Sequence, residues 1–237
     1  MNIITFDTLP STNDYLLDLS KKGANSWTVI HAYNQTKGKG YAGNVWQTNP
    51  NENLTFSLLI KSDLDYKDLI VLNQWVAGCI YKVLSSIHGK WFIKWPNDII
   101  LNDKKVCGVL IENYKSNKTM HTIIGIGINI NQTDFNHLPK ASSLQKETDI
   151  QYDILAILAD LIDGFKNEFN LIENKSFTLI SDFYNKYLYK KNQLVNFRIE
   201  EKICEGKILY VASNGNLVVD FKGKEYEFMH KQIELIF

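Results

Sequence analysis

Apolar residues recur along this 237-residue chain with two different periods, and the period changes from stretch to stretch. Ile3 to Phe6 reads as a short strand. After Leu9-Pro10, Ser11 and Asp14 stand as a helix start ahead of Tyr15, Leu16, Leu17 and Leu19 at helical spacing. Trp27 to Tyr33 and Asn53 to Ile60 are rich in β-formers and predict two strands joined by a long connection. Between Asp68 and Ser86, the positions Leu69, Leu72, Val76, Cys79 and Ile80 mark the buried face of a helix. Trp91 to Leu101 reads as one extended segment, because Pro96 disfavours helix at Trp95. Strands are predicted over Lys104 to Glu112 and Thr122 to Asn131, and helices from Tyr152 to about Phe165 and from Phe177 to Tyr187. Past Lys190 the texture turns to short strands, 194–199, 203–212, 217–221 and 225–229, with Asn214-Gly215 and Lys222-Gly223 as turns.

These elements predict an α+β fold: a mixed β-sheet packed with helices over residues 1–188, followed by a small SH3-like β-barrel over residues 189–237. Lys plus Arg and Asp plus Glu balance at 26 each, which supplies no overall field toward nucleic acid or an anionic membrane. Cys79, Cys107 and Cys204 are odd in number and lack metal-ligand spacing, as expected of reduced thiols. With no basic leader before Asp7 and no bilayer-length apolar run, a cytoplasmic protein is expected. Arg198 is the sole arginine, so cationic roles fall to lysine.

Three stretches carry candidate chemistry. Asn34 to Trp46 holds Gly38, Gly40 and Gly43 with Lys37 and Lys39, a segment able to close over an anion or to serve as a solvated hairpin connection. Its glycines are followed by Trp46 rather than a helix, so neither a P-loop nor a dinucleotide fingerprint is indicated. Lys94 is a cation among bulky apolar residues, and it either reaches for solvent or meets an anion, one brought by a substrate included. From Ile124 to Ile130 the isoleucines share one strand face, while Gly125, Gly127 and Asn129 share the other. A face so stripped of side chains admits a ligand or a neighbouring element.

Taken in order, Ser11-Thr12-Asn13, Gln35 to Gly40, Gly43 to Trp46, Lys94-Trp95-Pro96-Asn97-Asp98, Lys105 to Glu112 and Gly125 to Asn129 resemble the biotin protein ligases, in their short form without an N-terminal DNA-binding domain. The Lys-Trp-Pro-Asn-Asp run is the most specific part. The resemblance implies a ligase that joins biotin to ATP as biotinyl-5′-adenylate and passes the biotinyl group to a lysine of a biotin carboxyl carrier protein domain. It implies Lys94 and Lys105 as catalytic cations. Biotin would be bound by Ser11, Thr12, Asn13, Gln35, Gly38, Lys39, Lys94 and Gly108. ATP would meet Lys39, Trp46, Lys94, Lys105 and Asn129, with Mg²⁺ bridging phosphates and no dedicated protein ligand for the metal.

The balanced charge leads us to expect no nucleic-acid or membrane partner, and a homodimer stays open. Tyr41 and Asn44 depart from the resemblance, standing where relatives often carry arginine. A lipoate or octanoate ligase or transferase of the same superfamily is the alternative. The polar set Ser11, Thr12 and Gln35 favours a ureido head over an aliphatic chain. The glycine loop is expected to act as a lid over the adenylate.

Overall fold

The computed structural model describes residues 2–40, 43–135 and 138–236, so Tyr41 lies outside the described residues. In chain order the first elements are β1 (Asn2–Leu9), α1 (Thr12–Lys21), β2 (Thr28–Gln35), β3 (Asn53–Ser62) and α2 (Leu69–Leu84). Next come β4 (Trp91–Lys94), β5 (Asp98–Leu101), β6 (Lys104–Ser116), β7 (Thr119–Asn129) and α3 (Leu144–Thr148). The remainder is α4 (Ile154–Glu168), α5 (Asn170–Glu173), α6 (Phe177–Lys186), β8 (Leu194–Ile199), β9 (Lys202–Val211), β10 (Leu217–Phe221), β11 (Lys224–Phe228) and β12 (Glu234–Ile236). The chain forms two compact units, residues 1–66 with 104–163 and residues 67–103 with 164–237.

In the first unit the strands run in the order β1-β2-β3-β7-β6. The sheet is mixed, as expected. β1 and β2 are parallel and joined through α1, and the other pairs are antiparallel. Helix α1 lies on β2, β3 and β7. Leu16 from the helix joins Leu9, Ile30, Ala32, Leu59 and Ile123 in a core beneath it. Continued along the strands, that sheet face carries small or polar residues: Thr55 and Ser57 on β3, Gly125 and Gly127 on β7, Gly108 on β6. The register aligns Ser57 with Gly125, Thr55 with Gly127 and Gly127 with Gly108. The opposite face is apolar, with Phe56, Leu58, Ile124, Ile126 and Ile128 all buried. Period two thus divides this sheet into a core side and a side with room on it.

In the second unit, α2 carries a fully buried stripe that includes Leu72, Val76 and Ile80. Tyr81 stacks on Tyr187 with ring centroids 4.3 Å apart, and Trp75 Nε1 donates to the Glu168 carbonyl at 3.1 Å. The stretch from Trp91 to Leu101 is not one extended segment. It folds back as the hairpin β4–β5, with Trp91 opposite Leu101 and Lys94 opposite Asp98. A cis Trp95–Pro96 bond sits at the turn, where proline's missing N–H is not needed by the ladder. Side chains alternate along β4, with Trp91 and Ile93 buried and Phe92 and Lys94 half-buried.

The C-terminal strands form a five-stranded antiparallel sheet in the order β11-β10-β9-β8-β12. Four of the five match predicted segments, and β12 was not anticipated. Neither were the short helices α3 and α5, whose five and four residues are too few to show a period. Among the described residues no helix is long and apolar enough to cross a membrane.

Candidate active site

Pro10 ends β1's run, and Ser11 opens α1 in extended conformation, with φ −155° and ψ 129°. Its hydroxyl accepts a hydrogen bond from the Asp14 N–H at 3.3 Å, the N-cap expected from sequence. The next two side chains turn inward and are nearly fully buried, Thr12 at 3% and Asn13 at 4% exposure. They enter a connected polar network. The Thr12 backbone N–H donates to Gln35 Oε1 at 2.7 Å, and the Thr12 hydroxyl lies 3.1 Å from the same oxygen. Ser57 Oγ lies 2.8 Å from Thr12 Oγ1 and 2.6 Å from Asn13 Oδ1. Asn13 Nδ2 donates to Glu112 Oε2 at 2.8 Å and to the Leu110 carbonyl at 3.4 Å. Four elements, α1, β2, β3 and β6, each contribute one or two members.

The small residues of the sheet face are covered by this chain's own side chains. A methyl group on Gly125 would collide with the Asn13 amide, and one on Gly127 with the Trp46 indole. At Gly108 it would lie 2.9 Å from Trp46 Cζ3 and 3.4 Å from Lys105 Nζ. The backbone at Gly125, Gly127 and Gly108 is not left-handed, so space rather than φ demands glycine there. Of the two readings open for the bare strand face, packing by neighbouring segments is therefore realised: α1 supplies Asn13 over Gly125, and the glycine loop supplies Trp46 over Gly127 and Gly108.

The loop itself folds back on itself. Gly40 N–H donates to the Asn44 carbonyl at 2.7 Å and Trp46 N–H to the Gly38 carbonyl at 3.0 Å, with a bridge between Lys39 and Val45. Lys39 pairs with Asp14 at 2.5 Å, about half of each side chain remaining exposed. The Asp14 hydrogen bond, with a further contribution from the negative charge of Glu112, raises the Lys39 pKa and keeps it cationic.

Beside Trp46, Lys105 Nζ stands 5.8 Å from the indole centroid, within range of a cation–π contact. The Lys105 backbone is fixed by the 140–142 segment: its N–H donates to the Lys140 carbonyl at 2.8 Å and its carbonyl accepts from Ser142 N–H at 3.0 Å. Asn129 is buried and donates to the Ser142 carbonyl at 3.0 Å. Two buried polar atoms here, Trp46 Nε1 and Ser142 Oγ, make no hydrogen bond within the protein. Unmet buried donors of this kind suit a polar ligand. A cleft of about 430 Å³ adjoins the loop, lined by Gln35, Gly38, Trp46, Thr48, Gln132 and Phe135 among others.

Ser11, Thr12, Asn13, Gln35, Gly38, Lys39, Trp46, Lys105, Gly108 and Asn129 all belong to the first unit, whereas Lys94 belongs to the second. The anion sought for Lys94 exists within its own hairpin: Asp98 Oδ2 lies 3.3 Å from Nζ. Among the described residues no group of three His, Cys, Asp or Glu side chains could hold a metal ion. Ser57 and Glu112 received no role from sequence, although a signal existed. Thr55 and Ser57 interrupt the apolar run from Leu54 to Ile60 at alternate positions, which places hydroxyls on one face of a buried strand.

The profile of the biotin/lipoate A/B protein ligase family matches residues 5–129, more than half of the chain. The bifunctional ligase/repressor BirA of Bacillus subtilis is 27% identical over 225 residues, covering 92% of this chain and 69% of that protein. The biotin–[acetyl-CoA-carboxylase] ligase of Paracoccus denitrificans is 32% identical over 124 residues, 51% of each chain. Among solved structures, the biotin protein ligase from Aquifex aeolicus in complex with biotin and ATP superposes with a TM-score of 0.81 at 24% identity, covering 99% of this chain and 98% of that one. On the extent of the profile match, this chain belongs to the biotin/lipoate A/B protein ligase family.

Proposed function

We propose that this chain is an ATP-dependent biotin protein ligase acting on a lysine of a biotin carboxyl carrier protein domain. The observation that carries the reading is the polar network at the start of α1, in which Thr12, Asn13, Gln35 and Ser57 gather hydroxyl and amide groups around a glycine floor. A ureido ring brings one carbonyl acceptor and two N–H donors that such hydroxyl and amide groups can meet, whereas a lipoyl dithiolane or an octanoyl chain brings neither. The named relatives that are biotin ligases support the same reading.

In the first step a biotin carboxylate oxygen attacks the α-phosphorus of ATP and pyrophosphate leaves. Lys94, assigned from its Lys-Trp-Pro-Asn-Asp motif, and Lys105 are the cations that offset the charge gathering on the phosphoryl oxygens. Ser11, Thr12, Asn13 and Gln35 hold the ring, and the backbone at Gly38 and Lys39 with Gly108 lines its site. Trp46, Lys39 and Asn129 face the nucleotide, where Trp46 Nε1 and Ser142 Oγ lack protein partners. In the second step the carrier lysine amine attacks the acyl carbon, AMP departs, and the amine loses its proton. Mg²⁺, when bound, would screen phosphate charge. With no cluster of acidic ligands among the described residues, it would be held chiefly by phosphate oxygens. Residues 1–188 would carry this chemistry, and residues 189–237, as an SH3-like barrel, would help position ATP or the carrier.

Incubation with ATP, Mg²⁺, a carrier domain and either labelled biotin or labelled lipoate tests the proposal. Label from biotin is expected on the carrier, with AMP and pyrophosphate released in equal amounts. Transfer from lipoate and none from biotin would replace the proposal with the alternative.

A further inference from the structure

Lys94 is met by Asp98 across its own hairpin, and that pair carries no net charge. The C-terminal strands bring further groups to the same hairpin. Trp95, the next residue, donates from Nε1 to the Gly215 carbonyl at 2.9 Å, in the turn between β9 and β10. Its indole also meets the His230 ring, with centroids 5.6 Å apart and planes tilted by 54°. His230 stands between β11 and β12 in a tight turn, where Met229 N–H donates to Gln232 Oε1 at 2.8 Å and Gln232 N–H to the Met229 carbonyl at 3.1 Å. From α6 the Tyr184 hydroxyl donates to the Pro96 carbonyl at 2.9 Å. All these residues belong to the second unit.

The imidazole is half-buried and feels the charges of the hairpin. Burial lowers its pKa from 6.5, the positive charges of Lys94 and Lys231 lower it further, and Asp98 opposes them. The ring is therefore neutral at pH 7, and Lys94 is the charge that acts on it most strongly. Such an influence is reciprocal. An anion that pairs with Lys94 cancels the field that keeps the proton off the ring, so binding of a polyanion there draws a proton onto His230.

We infer that His230 is a proton-linked binding residue for the triphosphate of ATP: neutral in the free protein, it takes up a proton when the polyanion meets Lys94 and adds a cation from the C-terminal strands. The inference rests on the ligase reading, which brings ATP to Lys94, and deepens it. Lys94 alone is shared with Asp98, so a second positive charge at this hairpin has an unmet task.

The probe is the α,β-methylene analogue of ATP, which cannot release pyrophosphate, added with biotin and Mg²⁺. Calorimetry at pH 6 and pH 8.5 compares wild type with His230→Phe, which keeps a ring against Trp95, and His230→Gln, which keeps a polar group. Neither variant takes up a proton in that range. At pH 8.5 His230 is neutral with or without ligand, and the three proteins bind alike. At pH 6 both variants bind at least about fivefold more weakly than wild type. Histidine Cε1–H resonances followed by NMR against pH give a second readout, and the signal missing from His230→Phe identifies the residue. Its titration midpoint rises when the analogue is added to wild type, and rises in Lys94→Met without any ligand.

Circular dichroism identifies a variant that fails to fold, and if one does the other decides. An equal ratio of affinities at the two pH values in wild type and the folded variants would overturn the inference. So would an analogue that binds without moving the His230 midpoint, or a midpoint in the free protein that ignores Lys94→Met. A wild type that binds the analogue at neither pH, with its free-protein midpoint still dependent on Lys94, would overturn the ligase reading instead.

Discussion

Gly127→Ala should free the glycine loop while leaving the sheet in place. The added methyl group would fall inside contact distance of three indole atoms of Trp46, Cζ2 at 2.7 Å being the least close. The ring cannot slide aside, because its far edge already rests on Gly108 and its backbone N–H is tied to the Gly38 carbonyl at 3.0 Å. It must lift. Uncovering about 100 Å² of indole loses about 2.5 kcal/mol at about 25 cal/mol per Å². Replacing a strand glycine by alanine returns about 0.5 kcal/mol. The net of about 2 kcal/mol corresponds to roughly a 30-fold rise in the open population of the loop.

Lys37 and Lys39 are trypsin sites within that loop, and cleavage through a fast local opening follows the open population. Limited proteolysis with mass mapping should therefore show cuts at these two lysines about 30-fold faster than in wild type, with other sites unchanged. Trp46→Ala should match it, and the two changes together should add nothing. In wild type, biotin with ATP should suppress the same cuts. Rates at Lys37 and Lys39 within threefold of wild type in Gly127→Ala would refute the claim that the indole on its glycine floor is what holds the loop.

Lys94→Met should lower adenylate formation by about 10²-fold or more with secondary structure unchanged, by loss of a positioned cation. Pyrophosphate exchange near the wild-type rate would remove Lys94 from the mechanism. Tyr189→Phe deletes the hydroxyl that donates to Asp103 at 2.6 Å, which together with Lys190 holds that carboxyl below its usual range. A depressed carboxyl stabilises the fold above its ordinary pKa and loses that contribution as pH falls through the folded value. Because Asp103 is largely exposed, the loss at pH 7 is about 1 kcal/mol and should vanish in acid; urea unfolding showing the same deficit at pH 7 and pH 2.5 would count against it. His31 is fully buried, its two ring nitrogens bond to nothing in the protein, and burial lowers its pKa below 6.5. Above that value the ring is neutral and carries no charging cost, whereas protonation weakens the fold as pH falls below it, so His31→Leu should flatten the melting temperature between pH 7.5 and 5.5. A slope equal to wild type would place the acid sensitivity elsewhere.

Sequence alone carried the α+β order of elements, because helix and strand are announced by a local period: four C-terminal strands, α1 with its Ser11 cap, and the isoleucine face of β7 all follow from residues a few positions apart. It also marked most of the candidate site, since Ser11-Thr12-Asn13, the glycine loop and the Lys94 run are contiguous in the chain. What it could not hold is register. That Ser57 lies opposite Gly125, that Gly108 lies opposite Gly127, and that Glu112 reaches Asn13 across 99 positions are consequences of strand pairing, which no local pattern specifies. The reversal of the chain at Trp95–Pro96 was likewise hidden, because an extended segment and a hairpin share the same alternation until something pairs with it. The physical reason is one of range: period is written by neighbours along the chain, whereas the direction of a buried proton is written by whichever acceptors folding brings within about 3 Å.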